Sequence, residues 1–235
     1  MELSARLEAV AKMVTKGNRV CDVGCDHGYI SIYLVKNNIS PYVYAMDVNK
    51  GPLERAQEHI RAYGYEDKIE TILSDGLVAL DDRESDALVC AGMGGKLVIK
   101  ILTEGMEKVQ KMKELILQPQ SEIHLVRAFL REQGFYIDRE TMVFEEGKYY
   151  PMMHVLVHSD MKNDENPVFD KFGPSLLKDK HPILGKYLEY TKQTLEEIEK
   201  KLVSENKTDK IENRMAELKI QQKEVEDALM YFQTS

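Results

Sequence analysis

The sequence predicts a doubly wound α/β domain on a seven-stranded sheet, followed by an α-helical hairpin. Three observations carry this. A short apolar run (Val20, Cys21, Val23) reaches a glycine-bearing loop, and the apolar pattern then turns helical through Ile30, Ile32, Tyr33, Leu34 and Val35. Acids stand at the ends of three successive strand-like runs, at Asp22, Asp47 and Asp75. From Leu184 onward the apolar residues recur at alternating spacings of 4 and 3, as in helices that pair along a seam.

The elements follow in order. Leu3, Leu7, Val10, Ala11 and Val14 recur at helical spacing with Arg6, Glu8 and Lys12 between them, and Lys16-Gly17-Asn18 ends that helix. The second strand, Tyr42–Met46, leads to Asp47. A helix over Pro52–Tyr63 follows, with Asn49 as its expected cap. The third strand is Ile69–Leu73, before Ser74-Asp75-Gly76. The fourth is Ala87–Cys90, running into Ala91-Gly92-Met93-Gly94-Gly95-Lys96. A helix from Leu97 to about Lys111 and a strand Leu115–Gln118 come next, closed by Pro119. Ser121 is the expected cap of a helix Glu122–Gln133, which Gly134 ends. Phe135–Glu145 and Tyr149–His158 read as two long strands around Glu146-Gly147-Lys148.

Asp160–Pro167 is polar and reads as a linker, so residues 1–160 and 161–235 are expected to form separate domains. In the second, Leu184, Leu188, Thr191, Leu195, Ile198 and Leu202 mirror Ile211, Met215, Leu218, Gln222, Val225 and Leu229 when folded at Glu205–Thr208. The two polar members, Thr191 and Gln222, fall in one layer, where a buried polar pair fixes register. This predicts an antiparallel coiled-coil hairpin. With 12 basic and 13 acidic residues from Pro167 onward, it is no cationic clamp.

Composition narrows the function classes. At 235 residues and 43% hydrophobic the chain can bury a sizeable core. No apolar run approaches a membrane span, and the opening residues do not resemble a signal peptide. Cys21, Cys25 and Cys90 lack the paired spacing of a zinc site, so reduced thiols, no metal and a cytoplasmic location are expected. A net charge of −8 disfavours a nucleic-acid partner unless a local basic patch exists.

The first turn separates two ligand classes. A pyrophosphate needs G-x-G-x-x-G at a helix N-terminus. Here only Gly24 and Gly28 are present, with Asp22 before them and Asp26 between. Carboxylates at the turn repel a pyrophosphate and suit a cation, such as the sulfonium and amino group of S-adenosylmethionine. D-x-G-x-x-x-G resembles motif I of class I methyltransferases, with Asp26 in place of the usual middle glycine. Asp47 lies 19 residues after Gly28, near the ~20-residue offset at which such folds place an acid on a ribose diol. Asp47 and Asp75 also have the simpler reading of helix caps. Gly92, Gly94 and Gly95 leave a bare backbone beneath an acceptor. Absence of N-P-P-Y there disfavours an exocyclic amine and leaves room for a ring nitrogen.

Taken together, D-V-G-C-D-H-G-Y, A-M-D-V-N, S-D-G, A-G-M-G-G-K, L-Q-P, E-E-G-K-Y-Y and the helical tail resemble the bacterial TrmK family. That resemblance implies a Rossmann-like class I methyltransferase sheet. It also implies S-adenosylmethionine as cofactor and methylation of adenine 22 N1 in whole tRNA. Cofactor contacts are then expected from Asp22, Gly24, Cys25, Gly28, Asp47, Val48, Asp75, Gly76, Gly92 and Met93. Substrate contacts are expected from Gly94, Gly95, Lys96, Gln118, Pro119 and Arg127, with Asp26, His27 and Tyr29 as catalytic candidates. Asp26 either stabilises charge developing on the base or binds the methionine amino group. Phosphate contacts are sought at Arg6, Lys12, Lys16, Lys96, Lys100, Arg127 and Arg131. The enzyme is expected to be a monomer. The alternative is a methyltransferase for a small molecule or protein, with the coiled coil used for dimerisation.

Overall fold

The structure, a computed structural model, describes residues 2–204 and 208–233. It divides into two compact units, Met1–Glu165 and Asn166–Ser235. In the first unit helix α1 (Ala5–Met13) precedes five strands, all but β3 followed by α-helix. These are β1 (Val20–Val23), α2 (Tyr29–Lys36), β2 (Val43–Asp47), α3 (Lys50–Tyr63) and β3 (Ile69–Leu73). Then come β4 (Ala87–Gly94), α4 (Gly95–Glu104), α5 (Met106–Val109), β5 (Glu114–Ser121) and α6 (Ile123–Glu132). A hairpin of β6 (Tyr136–Glu145) and β7 (Lys148–Leu156) closes the sheet, whose order is β3-β2-β1-β4-β5-β7-β6. The first five strands pair in parallel, while β7 runs antiparallel to both β5 and β6. The strand order reverses between β1 and β4, so a crevice opens there beyond the carboxyl ends.

Both faces of the sheet are covered. Val10, Ile32, Ala56 and Ile60 from α1, α2 and α3 pack on one face. Val98, Leu102, Val126 and Leu130 from α4 and α6 pack on the other. Continuous burial along β1 and β2 follows from this double cover.

Three local expectations change. The helix expected over 97–111 breaks at Gly105, where a Cβ would stand 2.6 Å from Leu77 Cδ1; the bare backbone admits Leu77. Asn49 sits at the N-cap of α3 but its side chain makes no capping bond. Ser121 is no helix cap either. It ends β5 opposite Gly94, its Oγ lies 3.4 Å from the Gly95 amide, and Glu122 takes the cap position.

The amino-terminal helix is anchored from below. Buried Glu114 accepts hydrogen bonds from the Thr15 amide (2.9 Å) and hydroxyl (2.5 Å), and pairs with His154 Nε2 at 2.7 Å. Arg139 donates to the Met13 carbonyl at 2.8 Å. These bonds fix the end of α1 against β5, β6 and β7.

Arg127 is a correction. Its side chain is 2% exposed and its Nε lies 2.8 Å from Glu140 Oε1, itself fully buried. No phosphate reaches it, so it leaves both the substrate and the phosphate candidates. Removing one partner of a buried pair strands the other charge. Arg127→Met should therefore destabilise the fold by about 3–5 kcal/mol. Arg127→Met with Glu140→Leu should recover most of that loss. Urea denaturation of both variants checks this; a double variant as unstable as the single one refutes it.

In the second unit α7 (Pro167–Phe172) and α8 (Pro174–Lys178) precede two long helices, α9 (Pro182–Val203) and α10 (Asp209–Gln233), which pack on each other. Leu184, Leu188, Leu195, Leu218, Val225 and Leu229 are buried as the heptads require. Thr191 and Gln222 are only half-buried and each bonds elsewhere. Thr191 Oγ1 donates to the Tyr187 carbonyl at 2.7 Å, and Gln222 Nε2 to Glu199 at 2.8 Å. They form no closed polar layer. Of the expected turn at Glu205–Thr208, residues 205–207 lie outside the described residues. Among the described residues no helix is long and apolar enough to cross a membrane.

Candidate functional site

The turn after β1 is built to be bare. The amides of Gly24 and Cys25 both donate to the Met46 carbonyl, at 2.8 and 3.0 Å, and the Gly28 amide closes the turn onto the Cys25 carbonyl at 2.8 Å. Gly24 (φ 74°), Asp26 (φ 50°) and Gly28 (φ 72°) are all left-handed. Glycine adopts that region freely and Asp more readily than most residues. A Cβ on Gly24 would stand 2.1 Å from Met93 Cε, so the bare turn leaves room for the end of the Met93 side chain.

Beyond the carboxyl ends of β1 to β4 lies a cleft of about 450 Å³. Asp22, Gly24, Cys25, Asp26, His27 and Tyr29 line it from the first turn. Asp47 and Val48, Asp75 and Gly76, and Gly92 and Met93 line it from the next three strands. Gly28 lies behind, at the start of α2, where a Cβ would press on Ala56.

The remaining expected contacts do not line the cleft. Gln118 is fully buried; its Oε1 accepts from the Gly92 amide (3.2 Å) and from Arg6 (2.9 Å), so it positions both. Pro119 is buried opposite Met93 in the β4–β5 register. Gly94 and Gly95 press on the end of β5, where a Cβ on Gly95 would stand 2.4 Å from the Ser121 carbonyl. They permit close packing of α4. Lys96 is exposed and paired with Glu122 at 3.6 Å.

Several lining residues were not read from the sequence as cofactor or catalytic contacts. Leu7 and Arg6 arrive from α1, Leu97 and Ile101 from α4, and Gln120 from the end of β5. Arg6 lies over the Tyr150 ring at 5.4 Å. The His27, Tyr29 and His59 rings stack with centroids 5.3–5.9 Å apart. His59 Nδ1 lies 3.0 Å from the His27 carbonyl, which can only accept, so that nitrogen carries the proton. His27 Nδ1 is buried without a hydrogen-bond partner among the described residues.

The acids differ in state. Asp22 is 2% exposed, and burial pushes its carboxyl up to about 6, although the Ser31 hydroxyl at 2.6 Å favours the ionised form. Asp47 is buried and accepts the Asn49 amide at 2.8 Å and the Asp26 amide at 3.2 Å. Asp75 is exposed and pairs with Lys100 at 3.5 Å, and Lys100 also reaches Glu104. Lys12 pairs with Glu8 at 2.7 Å. Three of the phosphate candidates, Lys12, Lys96 and Lys100, are thus already neutralised locally. The three cysteines are buried thiols that burial holds well above their ordinary range, so none is a thiolate.

The cleft therefore fits a ligand with a cationic centre and a diol. Two buried acids face it, a bare turn admits its backbone-contacting part, and Val48, Leu97 and Ile101 offer apolar walls. A doubly wound sheet closed by an antiparallel pair, with acids at its strand ends, is that of a class I methyltransferase. Residues 3–153 match the family described as "Methyltransferase domain".

The particular branch follows from whole-chain likeness. The tRNA (adenine(22)-N(1))-methyltransferase of Bacillus subtilis (strain 168) is 30% identical over 223 residues, 90% of this chain and 92% of that protein. The chain belongs to this family, TrmK. The crystal structure of B. subtilis TrmK superposes with a TM-score of 0.83 at 26% identity, covering 97% of this chain and 99% of that one. Streptococcus pneumoniae Sp1610, solved in complex with S-adenosyl-L-methionine, gives a TM-score of 0.85 at 31% identity over 97% of this chain and 100% of that one.

Proposed function

We propose that this protein uses S-adenosylmethionine to methylate N1 of adenine 22 in tRNA. The observation that carries the reading is the acid-lined cleft at the switch point of the sheet, in a chain matching TrmK proteins along nearly its whole length. Asp22, Gly24 and Cys25 would hold the methionine end of the cofactor, with Gly28 behind them giving the turn its left-handed backbone. Asp47 would hold the ribose, and Val48, Asp75 and Gly76 the adenine. Bound there, S-adenosylmethionine supplies a methyl group on a good leaving group.

This chain's own residues then have two tasks. One is placement: Gly92, Met93 and the stacked His27–Tyr29 rings orient the incoming base. The other is charge. A base methylated at N1 becomes cationic, and Asp26 offers a carboxylate to that charge. No base is needed to activate N1, which carries its lone pair already. A paired or stacked adenine must be turned out to expose that edge. One chain supplies the lining of the cleft, which supports a monomer, and three buried, unpaired thiols support a reducing, cytoplasmic setting. Transfer of labelled methyl to unmodified tRNA, with the modified nucleoside mapped, tests the reading. Label at N1 of adenine 22 is the expected result; transfer only to small acceptors or protein overturns it.

Asp22 predicts a pH dependence. Its folded value of about 6 lies above the ordinary 3.8. Its contribution to folding is therefore full below that ordinary value and is lost as pH rises through 6. Cofactor binding has the opposite sign, because a cation prefers the ionised carboxylate. Affinity for S-adenosylmethionine should be constant above about pH 7 and fall by up to tenfold per unit below about pH 6. Calorimetric titration across that range checks it. Asp22→Asn should bind weakly with a flat profile; an unchanged slope in that variant refutes the assignment.

A further inference from the structure

The β6–β7 hairpin turns through Glu146 (φ 49°) and Gly147 (φ 78°). This is a two-residue loop of the type that matches strand twist and holds its flanks rigidly. Phe144 and Tyr149 face each other across it, with ring centroids 4.6 Å apart and planes tilted by 43°. The next pair inward, Val143 and Tyr150, packs on the α1 side of the sheet. By strand alternation Phe144 and Tyr149 project from the opposite face. Phe144 is 52% exposed, in a position where packing requires no phenyl ring.

The hairpin tip lies at the functional edge. Strand β7 runs antiparallel to β5, pairing Leu117 with Met153, so in continued register Tyr149 lies level with Ser121 at the carboxyl end of β5 and Lys148 one residue beyond it. That is the edge where Gly92 and Met93 line the cleft. Phe144 stands on β6, three places from β4 in the sheet, about 14 Å at the usual spacing. That is roughly four stacked nucleotides at about 3.4 Å each. Charge on that side is balanced, with Lys96 paired to Glu122, while by the same alternation Glu145 and Lys148 turn to the α1 side, where Glu145 accepts the Ala5 amide at 2.7 Å. Phosphate attraction gives little at such a surface, whereas an exposed ring gives a base a face to stack on.

We propose that Phe144, backed by Tyr149, is a stacking ledge for a nucleotide a few positions along the strand from the target adenine. It holds the tRNA strand while the base enters the cleft beside Gly92 and Met93. This rests on the tRNA reading above and adds a recognition site to it.

Full-length variants, unmodified tRNA and methyl-transfer kinetics test it. Phe144→Ala should raise KM for tRNA by about 5- to 100-fold, the range for losing one base–aromatic stack. The affinity for S-adenosylmethionine should not move, and the thermal midpoint should fall by no more than about 4 °C, the cost of one cross-strand aromatic pair. The salt dependence of tRNA binding should keep its wild-type slope, because no phosphate contact is lost. Phe144→Trp should restore KM, whereas Phe144→Leu, which keeps apolar bulk without a π face, should not. An unchanged KM in Phe144→Ala, or full rescue by Leu, overturns the ledge while wild-type activity on tRNA still upholds the enzyme. Wild-type protein that leaves adenine 22 unmodified overturns the tRNA reading itself, and the ledge with it.

Discussion

Asp26→Asn is expected to lower methyl transfer to tRNA by about a hundredfold while leaving affinity for S-adenosylmethionine within about threefold of wild type. The size follows from where the carboxylate sits. In the free protein its side chain is 66% exposed, and His27 Nε2 lies 3.5 Å from it. A charge at 4 Å is worth only about 1 kcal/mol in water but about 4 kcal/mol once solvent is displaced to an effective dielectric near 20. The base that enters the cleft does that displacing. The gain of about 3 kcal/mol is thus felt only when the ring turns cationic, and corresponds to roughly two powers of ten. Asn is the informative replacement because, like Asp, it tolerates the left-handed backbone found here (φ 50°). The turn therefore keeps its shape and only the charge is lost. Single-turnover rates beside calorimetric affinities separate the outcomes. Equal losses in both would make Asp26 a ligand for the cofactor's amino group instead.

The strand ends that build the cleft were legible because each is written locally. An apolar run, a turn residue and an acid suffice to place Asp22, Asp47 and Asp75, and all three line one cleft. What escaped depends on partners far away in the chain. Arg6 and Leu7 reach the cleft because Thr15 and Met13, at the other end of the same helix segment, are tied to Glu114 and Arg139 about a hundred residues later. No periodicity announces such a tie. His59 drew no functional reading from the sequence, and only the fold brings it from α3 against the His27 carbonyl.

Arg127 is different, because its signal was present. Ile123, Val126, Arg127 and Leu130 share one helical stripe, and an arginine inside an apolar stripe has to find an acid. Glu140 supplies it from β6, beyond the irregularity between Ile137 and Arg139. Asn49 and Ser121 failed as caps for a related reason. Local rules identify a residue able to cap, whereas Asp47 already accepts the Asn49 amide and Ser121 is drawn into the β5 ladder.

Asp47→Ala should weaken S-adenosylmethionine binding by at least about a hundredfold, the largest single loss of affinity expected in the cleft. A ribose diol donates two hydrogen bonds to a carboxylate, each worth about 1.5–3 kcal/mol with a charged acceptor. About 3 kcal/mol is already a factor of a hundred in Kd. The carboxylate has capacity for this beside its existing work, since its two oxygens carry about four acceptor sites. Two of those are taken by the Asn49 and Asp26 amides. That second duty predicts a signature which a pure ligand contact lacks. Removing Asp47 also releases the backbone of Asp26, so turnover at saturating cofactor should fall as well, whereas Asp26→Asn spares affinity. Asp47→Asn should fall between, because its amide nitrogen cannot accept and must face one of the two backbone N–H groups. Calorimetry for Kd, saturating kinetics for turnover and the thermal midpoint of the free protein resolve the three effects. A Kd within threefold of wild type for Asp47→Ala, in a protein that still folds, would show that the ribose is held elsewhere.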